Sequence, residues 1–192
     1  VIDNTAPTMT FTGFTEGTNP GCQYVPTLTP TSAWIRTNGG CSGDIVATFA
    51  PVDAESGIDH ITVPAGPAGW TPNAATPIND PGPWTQTYAW ATGANNFNTR
   101  NATATNTSGM NSANVPFTIT TDNTNPTGGS ISYPTGWRIT TPLPITVTNY
   151  TDAGSGIYQQ QLLRDEVTRP VGGTGGAATW PIAYTTVVAE TV

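Results

Sequence analysis

The one histidine of the chain, His60, has neighbours with which a histidine can perform catalysis. Asp59 precedes it directly, and Ser56 lies a short way upstream. A Ser–His–Asp set would use the serine as a nucleophile and the histidine as its base. All three residues fall on one turn and the strand after it, which does not aim an oriented base at a nucleophile. We therefore expect a partly exposed strand histidine, no catalytic site, and a protein that is not an enzyme.

Two aspartates, Asp3 and Asp122, begin the motifs DNTAPT and DNTNPT. Carboxylate, amide and carbonyl oxygens are the ligands that calcium prefers, and DNTNP is similar to the calcium-binding linker between cadherin domains. A different interpretation is that the aspartate caps a turn while the proline stiffens a joint between domains. We expect the turn cap, and keep calcium at Asp3 or Asp122 as the alternative. No other cofactor is predicted.

The two cysteines, Cys22 and Cys41, predict a disulfide. Charged residues make up only 9% of the chain, against about 25% in an ordinary globular protein. An even cysteine count in such a chain favours an oxidising compartment, so we expect an extracellular protein, secreted or on the cell surface. Closing a loop of about 20 residues would contribute about 3 kcal/mol to stability.

The formal net charge of -7 makes nucleic acid a poor partner, because binding it requires a basic patch. No apolar run approaches the ~20 residues of a membrane span. So little surface charge indicates either a surface that associates with other copies of itself or one covered by glycans. The candidate N-glycosylation sites, each followed by x-Ser/Thr, are Asn101, Asn106 and Asn149.

Four aromatic residues, Trp70, Trp84, Tyr88 and Trp90, lie close together in the sequence. Aromatic rings on one face of a sheet can stack on sugars. The spacing of Trp84, Tyr88 and Trp90 places all three on the same face of one strand, which also suits a hydrophobic core. We expect core positions for most of the four, with a sugar platform as the alternative.

An internal repeat shows which elements position these residues. DAESGI and DAGSGI each lie between two runs of alternating apolar and polar residues, which predicts a strand–turn–strand unit. In each turn the Asp and Ser side chains can bond backbone amides, and the glycine can adopt a positive φ. The predicted turn residues are Asp53, Ser56 and Gly57 in the first copy and Asp152, Ser155 and Gly156 in the second.

The repeat predicts two all-β domains, 1–121 and 122–192. The first would carry a disulfide-stapled insertion, Cys22–Cys41, between its first strands. It would end with two strands, ATAT and VPFTITT, joined by a turn around Ser108–Gly109. The second copy has no matching segment, so its sheet would keep an open edge. Either a neighbouring subunit donates the missing strands, or the chain is a window on a longer tandem array.

The linker DNTxPT and the turn D-A-x-S-G-I resemble those of bacterial Ig-like repeat domains in large extracellular and cell-surface proteins. ATATNTSGMNS is similar to the A-T-D-x-A-G-N-x-S hairpin of that family, with Asn106 at the Asp position. The resemblance implies tandem antiparallel Greek-key β-sandwiches. It also implies a structural subunit of an extracellular fibre or surface stalk, assembled end to end. The alternative function is a carbohydrate- or surface-binding adhesin module.

Overall fold

The computed structural model describes residues 2–27, 30–134, 145–157, 160–161 and 187–188. The chain divides into two compact units, Val1–Asn123 and Thr124–Val192, with the boundary inside the second DNT motif. The described residues form strands and loops with one 3₁₀ turn, Pro20–Cys22, which confirms the predicted all-β class. The strands are β1 (Thr8–Glu16), β2 (Gln23–Tyr24), β3 (Ser32–Ile35), β4 (Gly43–Val52), β5 (Ile58–Val63), β6 (Trp70–Thr71), β7 (Thr76–Asn79), β8 (Thr85–Trp90), β9 (Asn98–Asn106), β10 (Val115–Thr121), β11 (Thr127–Ser132), β12 (Thr146–Thr151), β13 (Gln160–Gln161) and β14 (Val187–Val188).

The first unit is a sandwich of two sheets. One sheet has four strands in the order β1-β4-β8-β6, and the other has six in the order β2-β3-β10-β9-β5-β7. Inward residues alternate with outward ones because successive side chains of a strand point to opposite faces. On β4, for example, Ile45, Ala47 and Phe49 are buried while the residues between them are partly exposed.

The core between the sheets is rich in aromatic rings. The ring of Phe11 contacts those of Phe14 and Phe49, and Phe117 reaches all three from the opposite sheet at centroid distances between 5.4 and 6.3 Å. Edge-on and tilted pairs of this kind contribute about 0.5–1.5 kcal/mol each beyond the burial of their area. The core therefore joins both sheets through contacts that are distant in sequence.

One pairing departs from the predicted antiparallel arrangement. Strands β3 and β10 run parallel, from Ser32 beside Thr118 to Ile35 beside Thr121. The chain crosses from the first sheet to the second between β1 and β2, and it approaches β1 again before β3, where Phe14 N donates to Pro30 O at 2.6 Å. Gly13 permits this close approach, because a Cβ there would lie only 3.1 Å from Pro30, and its φ is +148°.

The segment that the sequence predicts as a disulfide-stapled insertion lies between β1 and β4. Cys22 and Cys41 do form a disulfide. The segment between them supplies β2 and β3 to the six-stranded sheet. The physical reason is the burial of Ala33 and Ile35, whose side chains belong to the core.

In the second unit the structure describes two short antiparallel pairs, β11 with β12 and β13 with β14. The sequence DAGSGI follows β12, and Ile157 at its end is buried. The predicted loss of C-terminal strands falls on residues outside the described ranges.

Candidate functional site

The first linker is fastened to the sandwich by the carboxylate of Asp3. Its Oδ2 accepts hydrogen bonds from Ser56 Oγ, from Asn106 Nδ2 at 2.8 Å and from Ser108 Oγ at 3.0 Å. Its Oδ1 accepts from Thr5 N at 3.0 Å. The donors come from the turn after β4 and the hairpin after β9, so one carboxylate connects three separate segments.

The turn after β4 is organised by Asp53. Its Oδ1 accepts the backbone amides of Ser56 at 2.8 Å, Glu55 at 3.1 Å and Gly57 at 3.1 Å. Gly57 has a φ of +79°, which glycine adopts without strain. These bonds hold Ser56 where its hydroxyl can donate to Asp3.

Asn106 joins the two carboxylates. Its side chain is nearly fully buried, with 1% of the residue exposed. Its Nδ2 donates to Asp3 Oδ2, to Thr5 O at 3.1 Å and to Asp53 Oδ2 at 3.2 Å. Its Oδ1 accepts from Ser108 Oγ and from the amide of Met110, both at 2.8 Å. The N-terminal node is the group formed by Asp3, Asp53, Ser56, Asn106 and Ser108.

This placement overturns Asn106 as a glycosylation candidate. A glycan would have to be attached to Nδ2, which lies inside the node and donates to three acceptors. The other two candidates are accessible, because Asn101 on β9 and Asn149 on β12 are both exposed. They remain predictions.

The node favours ionised carboxylates. The hydrogen bond from Ser56 and the Thr5 amide hold the pKa of Asp3 at about 2, below its ordinary value of 3.8. The amide of Ser56, with further donors that include Asn106, lowers the pKa of Asp53. Donors that bind the charged form stabilise it, so acid must compete with these bonds before it can protonate the node.

The node also bears on the calcium expectation for Asp3. The amide nitrogen of Asn106 donates to an oxygen of each carboxylate, Asp3 Oδ2 and Asp53 Oδ2. Among the described residues, no three His, Cys, Asp or Glu side chains are grouped as metal ligands. The arrangement therefore uses a neutral donor to join two anions.

The second linker is fastened at a different place, which we call the C-terminal clamp, formed by Thr37, Asn38 and Asn123. Asn123 Oδ1 accepts the amides of Thr37 at 2.9 Å and Asn38 at 3.2 Å. Its Nδ2 donates to Thr37 Oγ1, and its carbonyl accepts from Asn38 Nδ2, each at 3.0 Å. The amide of Asp122 also donates to Ile35 O at 2.8 Å, which continues the line of β10 beside β3.

The node and the clamp lie at opposite ends of the first sandwich. Asp53 directly follows the last residue of β4. At the other end, Gly43 of β4 pairs with Trp90, whose Nε1 donates to the carbonyl of Arg36 beside the clamp. The ten residues of β4 separate the two ends, which corresponds to about 33 Å.

The three candidates for a catalytic set, Ser56, Asp59 and His60, lie in the first unit. His60 Nδ1 lies 2.8 Å from Asp59 Oδ2, while the hydroxyl of Ser56 donates to Asp3. The hydroxyl of Ser56 is thus directed to Asp3, and His60 is a partly exposed strand residue, as the sequence predicts.

The proposed sugar platform is overturned for three of its four aromatic residues. Trp70, Tyr88 and Trp90 are buried in the core, and Trp84 packs against it while partly exposed. A polysaccharide has no access to the buried rings.

In the second copy of the turn, Asp152 Oδ1 accepts the amide of Gly154 at 2.7 Å. Gly156 has a φ of +77°, close to that of Gly57. Ser155 lies between them and is partly exposed. The two copies therefore share the aspartate cap and the left-handed glycine.

Comparison with protein-family models, with curated proteins and with solved structures finds no match to this chain. Within the described part of the chain, no helix has the length and apolar character needed to cross a membrane.

Two members of these sites were missed by the sequence analysis as anchors. The sequence pattern assigns Ser108 to a turn and Asn123 to the linker motif, and it gives neither residue an anchoring role. Their partners lie far away in the sequence, since Ser108 bonds Asp3 and Asn123 bonds Thr37. The repetition of Asp-Asn in both linkers was the available signal.

Proposed function

We propose that the protein is a structural subunit of an extracellular fibre or surface stalk, built from Ig-like sandwich domains joined end to end. The observation that carries this proposal is the position of the two linkers at opposite ends of the first sandwich. A domain that receives the chain at one end and releases it at the other extends an array along its long axis.

Both linkers are bonded to the sandwich, which supports a stiff rather than a flexible array. Asp3 accepts from three side chains at one end, and Asn123 makes bonds with two residues at the other. Each bond restricts rotation of the linker about the domain. The disulfide and the low fraction of charged residues suit an extracellular location.

Contact between copies of the chain is the second part of the proposal. β3 pairs with β10 only from Thr118 onward, whereas β9 pairs with β10 from Val115. Beside the uncovered part of β10 runs a groove of about 660 Å³, whose lining includes Met9, Phe11 and Val115. An extended strand from a neighbouring copy suits such an edge, because strand addition supplies main-chain hydrogen bonds to a sheet.

Electron microscopy of the purified full-length chain tests the proposal. We expect fibres or straight rods whose axial repeat equals one or two domain lengths. Dispersed particles without an axial repeat at any protein concentration would contradict it.

Strand donation has a sharper test in the groove. Val115→Arg places a charge on a half-buried groove residue, and Thr99→Arg adds the same charge on the exposed face of neighbouring β9. We expect the Val115 variant alone to sediment as a monomer under conditions in which the parent chain assembles. Equal assembly of the two variants would refute donation at this groove.

A further inference from the structure

A pair of aromatic rings lies on the outer face of the six-stranded sheet. Tyr24 on β2 is opposite Trp34 on β3, with ring centroids 6.2 Å apart and the planes tilted by 31°. Their neighbours Gln23 and Ile35 are buried. Since side chains alternate along a strand, both rings point away from the core, and both are partly exposed.

Hydroxyl groups continue the same face towards the middle of the sheet. Thr120 lies beside Trp34 in the parallel register, and Thr118 lies beside Ser32. The hydroxyls of Thr118 and Thr99 are 2.8 Å apart on neighbouring strands. Thr99, Thr118 and Thr120 are all exposed.

Charged groups appear at the end of this face. Arg36 is exposed two positions beyond Trp34, and its Nε donates to Asn38 Oδ1 at 2.7 Å. Asp122 follows β10 next to it. The middle of this face thus combines two aromatic rings with neutral hydroxyls, and the charged residues Arg36 and Asp122 lie at its end.

We infer that this face binds a neutral polysaccharide chain, with pyranose rings stacked on Trp34 and Tyr24 and sugar hydroxyls bonded by Thr120 and Thr118. The C–H faces of a pyranose suit an aromatic surface, and an exposed hydroxyl both donates and accepts. The net charge of -7 repels an anionic polymer, and an uncharged surface offers no attraction that would offset this repulsion. This site is independent of end-to-end assembly, because it lies on the side of the sandwich.

Native gel electrophoresis of the full-length chain through hydroxyethylcellulose, xylan or dextran tests the inference. We expect at least one of these neutral polymers to retard the protein. Trp34→Ala and Tyr24→Ala are expected to raise the dissociation constant at least about tenfold. An aromatic ring that a ligand covers on binding commonly dominates the binding energy. The matched control is Tyr133→Ala, which removes an exposed ring from the second unit.

Thr120→Val keeps the volume of an exposed residue and removes its hydroxyl, so it tests the same face without disturbing the core. We expect a weaker retardation than for the parent, with an unchanged circular dichroism spectrum. Absence of retardation by all three polymers would overturn the inference. Retardation that survives Trp34→Ala, Tyr24→Ala and Thr120→Val would place binding elsewhere and overturn it equally.

Discussion

Both ends of the first sandwich carry the dipeptide Asp-Asn, but each end uses a different member of it. At the N-terminal node the carboxylate of Asp3 accepts the bonds, while Asn4 beside it is exposed. At the C-terminal clamp the amide of Asn123 makes them. The first sandwich therefore holds the linker at one end through an aspartate side chain and the linker at the other end through an asparagine side chain.

The two ends also differ in charge. The node holds two carboxylates with lowered pKa values, whereas the clamp bonds through neutral amides and a hydroxyl. Acid and single substitutions should therefore affect the two ends unequally, and the experiments below exploit that inequality.

Asn106→Leu is expected to have the largest effect. It removes the donor that joins two carboxylates and leaves the Met110 amide without its acceptor, so we expect a loss of about 4 kcal/mol in the free energy of unfolding. Urea unfolding followed by the fluorescence of buried Trp70 and Trp90 measures it. Asn101→Leu, on the exposed face of the same strand, should change stability little. Equal effects of the two would show that the node does not hold the linker.

Removal of the disulfide by Cys22→Ser with Cys41→Ser should rank next. Loss of the cross-link over a sequence separation of 19 is expected to destabilise the first sandwich by about 3 kcal/mol. Because Cys41 N also bonds the carbonyl of Asn38, the clamp should loosen more than the node. Hydrogen exchange of the Thr37 and Ser56 amides compares the ends. Faster exchange at Ser56 alone would contradict this coupling.

Asn123→Ala should cost about 1 kcal/mol, since it removes two partly buried hydrogen bonds to Thr37 at the clamp. We expect protease to cleave the second linker faster in this variant. Asn4→Ala is the matched control, because the same residue type in the first linker is exposed. If both variants are cleaved like the parent, Asn123 is not an anchor.

The pH dependence of the folding stability should be the smallest effect, because the carboxylates of Asp3 and Asp53 both lie near solvent. Asp3 and Asp53 have lowered pKa values in the folded state, so the stability they contribute is fully present above the unfolded value near 4. It is lost as the pH falls towards the folded pKa of Asp3, about 2. Urea midpoints between pH 2 and 5 should fall less steeply for Asp3→Asn than for the parent. An equal fall of the urea midpoint with pH in the variant and the parent would exclude Asp3 as the source of the pH dependence.

Local pattern sufficed for much of the fold. The alternation before Asp53 predicts β4, and the turn around Ser108–Gly109 does join β9 to β10. The disulfide also follows from the even cysteine count in a chain of low charge. The parallel pairing of β3 with β10 does not follow from local pattern, because it joins two segments that are distant in sequence.

The sites were less accessible to sequence reasoning. Asn106 fits a sequon as well as it fits a buried bridge, and only the approach of Asp3 and Asp53 decides between them. Tyr24 and Trp34 pair across strands, so their shared face requires the register of β2 and β3. In contrast, the crowded aromatics around Tyr88 drew attention but belong to the core.

The central claim is that the chain enters and leaves the first sandwich at opposite ends. Spin labels at Asn4→Cys and Thr120→Cys, read by pulsed electron paramagnetic resonance in the full-length chain, measure that separation directly. The nine residues of β9 run from the end of the sandwich near Thr120 to the end near Asn4, which predicts a distance of about 30 Å between the two labels. A distance below about 20 Å would place both linkers at one end and contradict an end-to-end array.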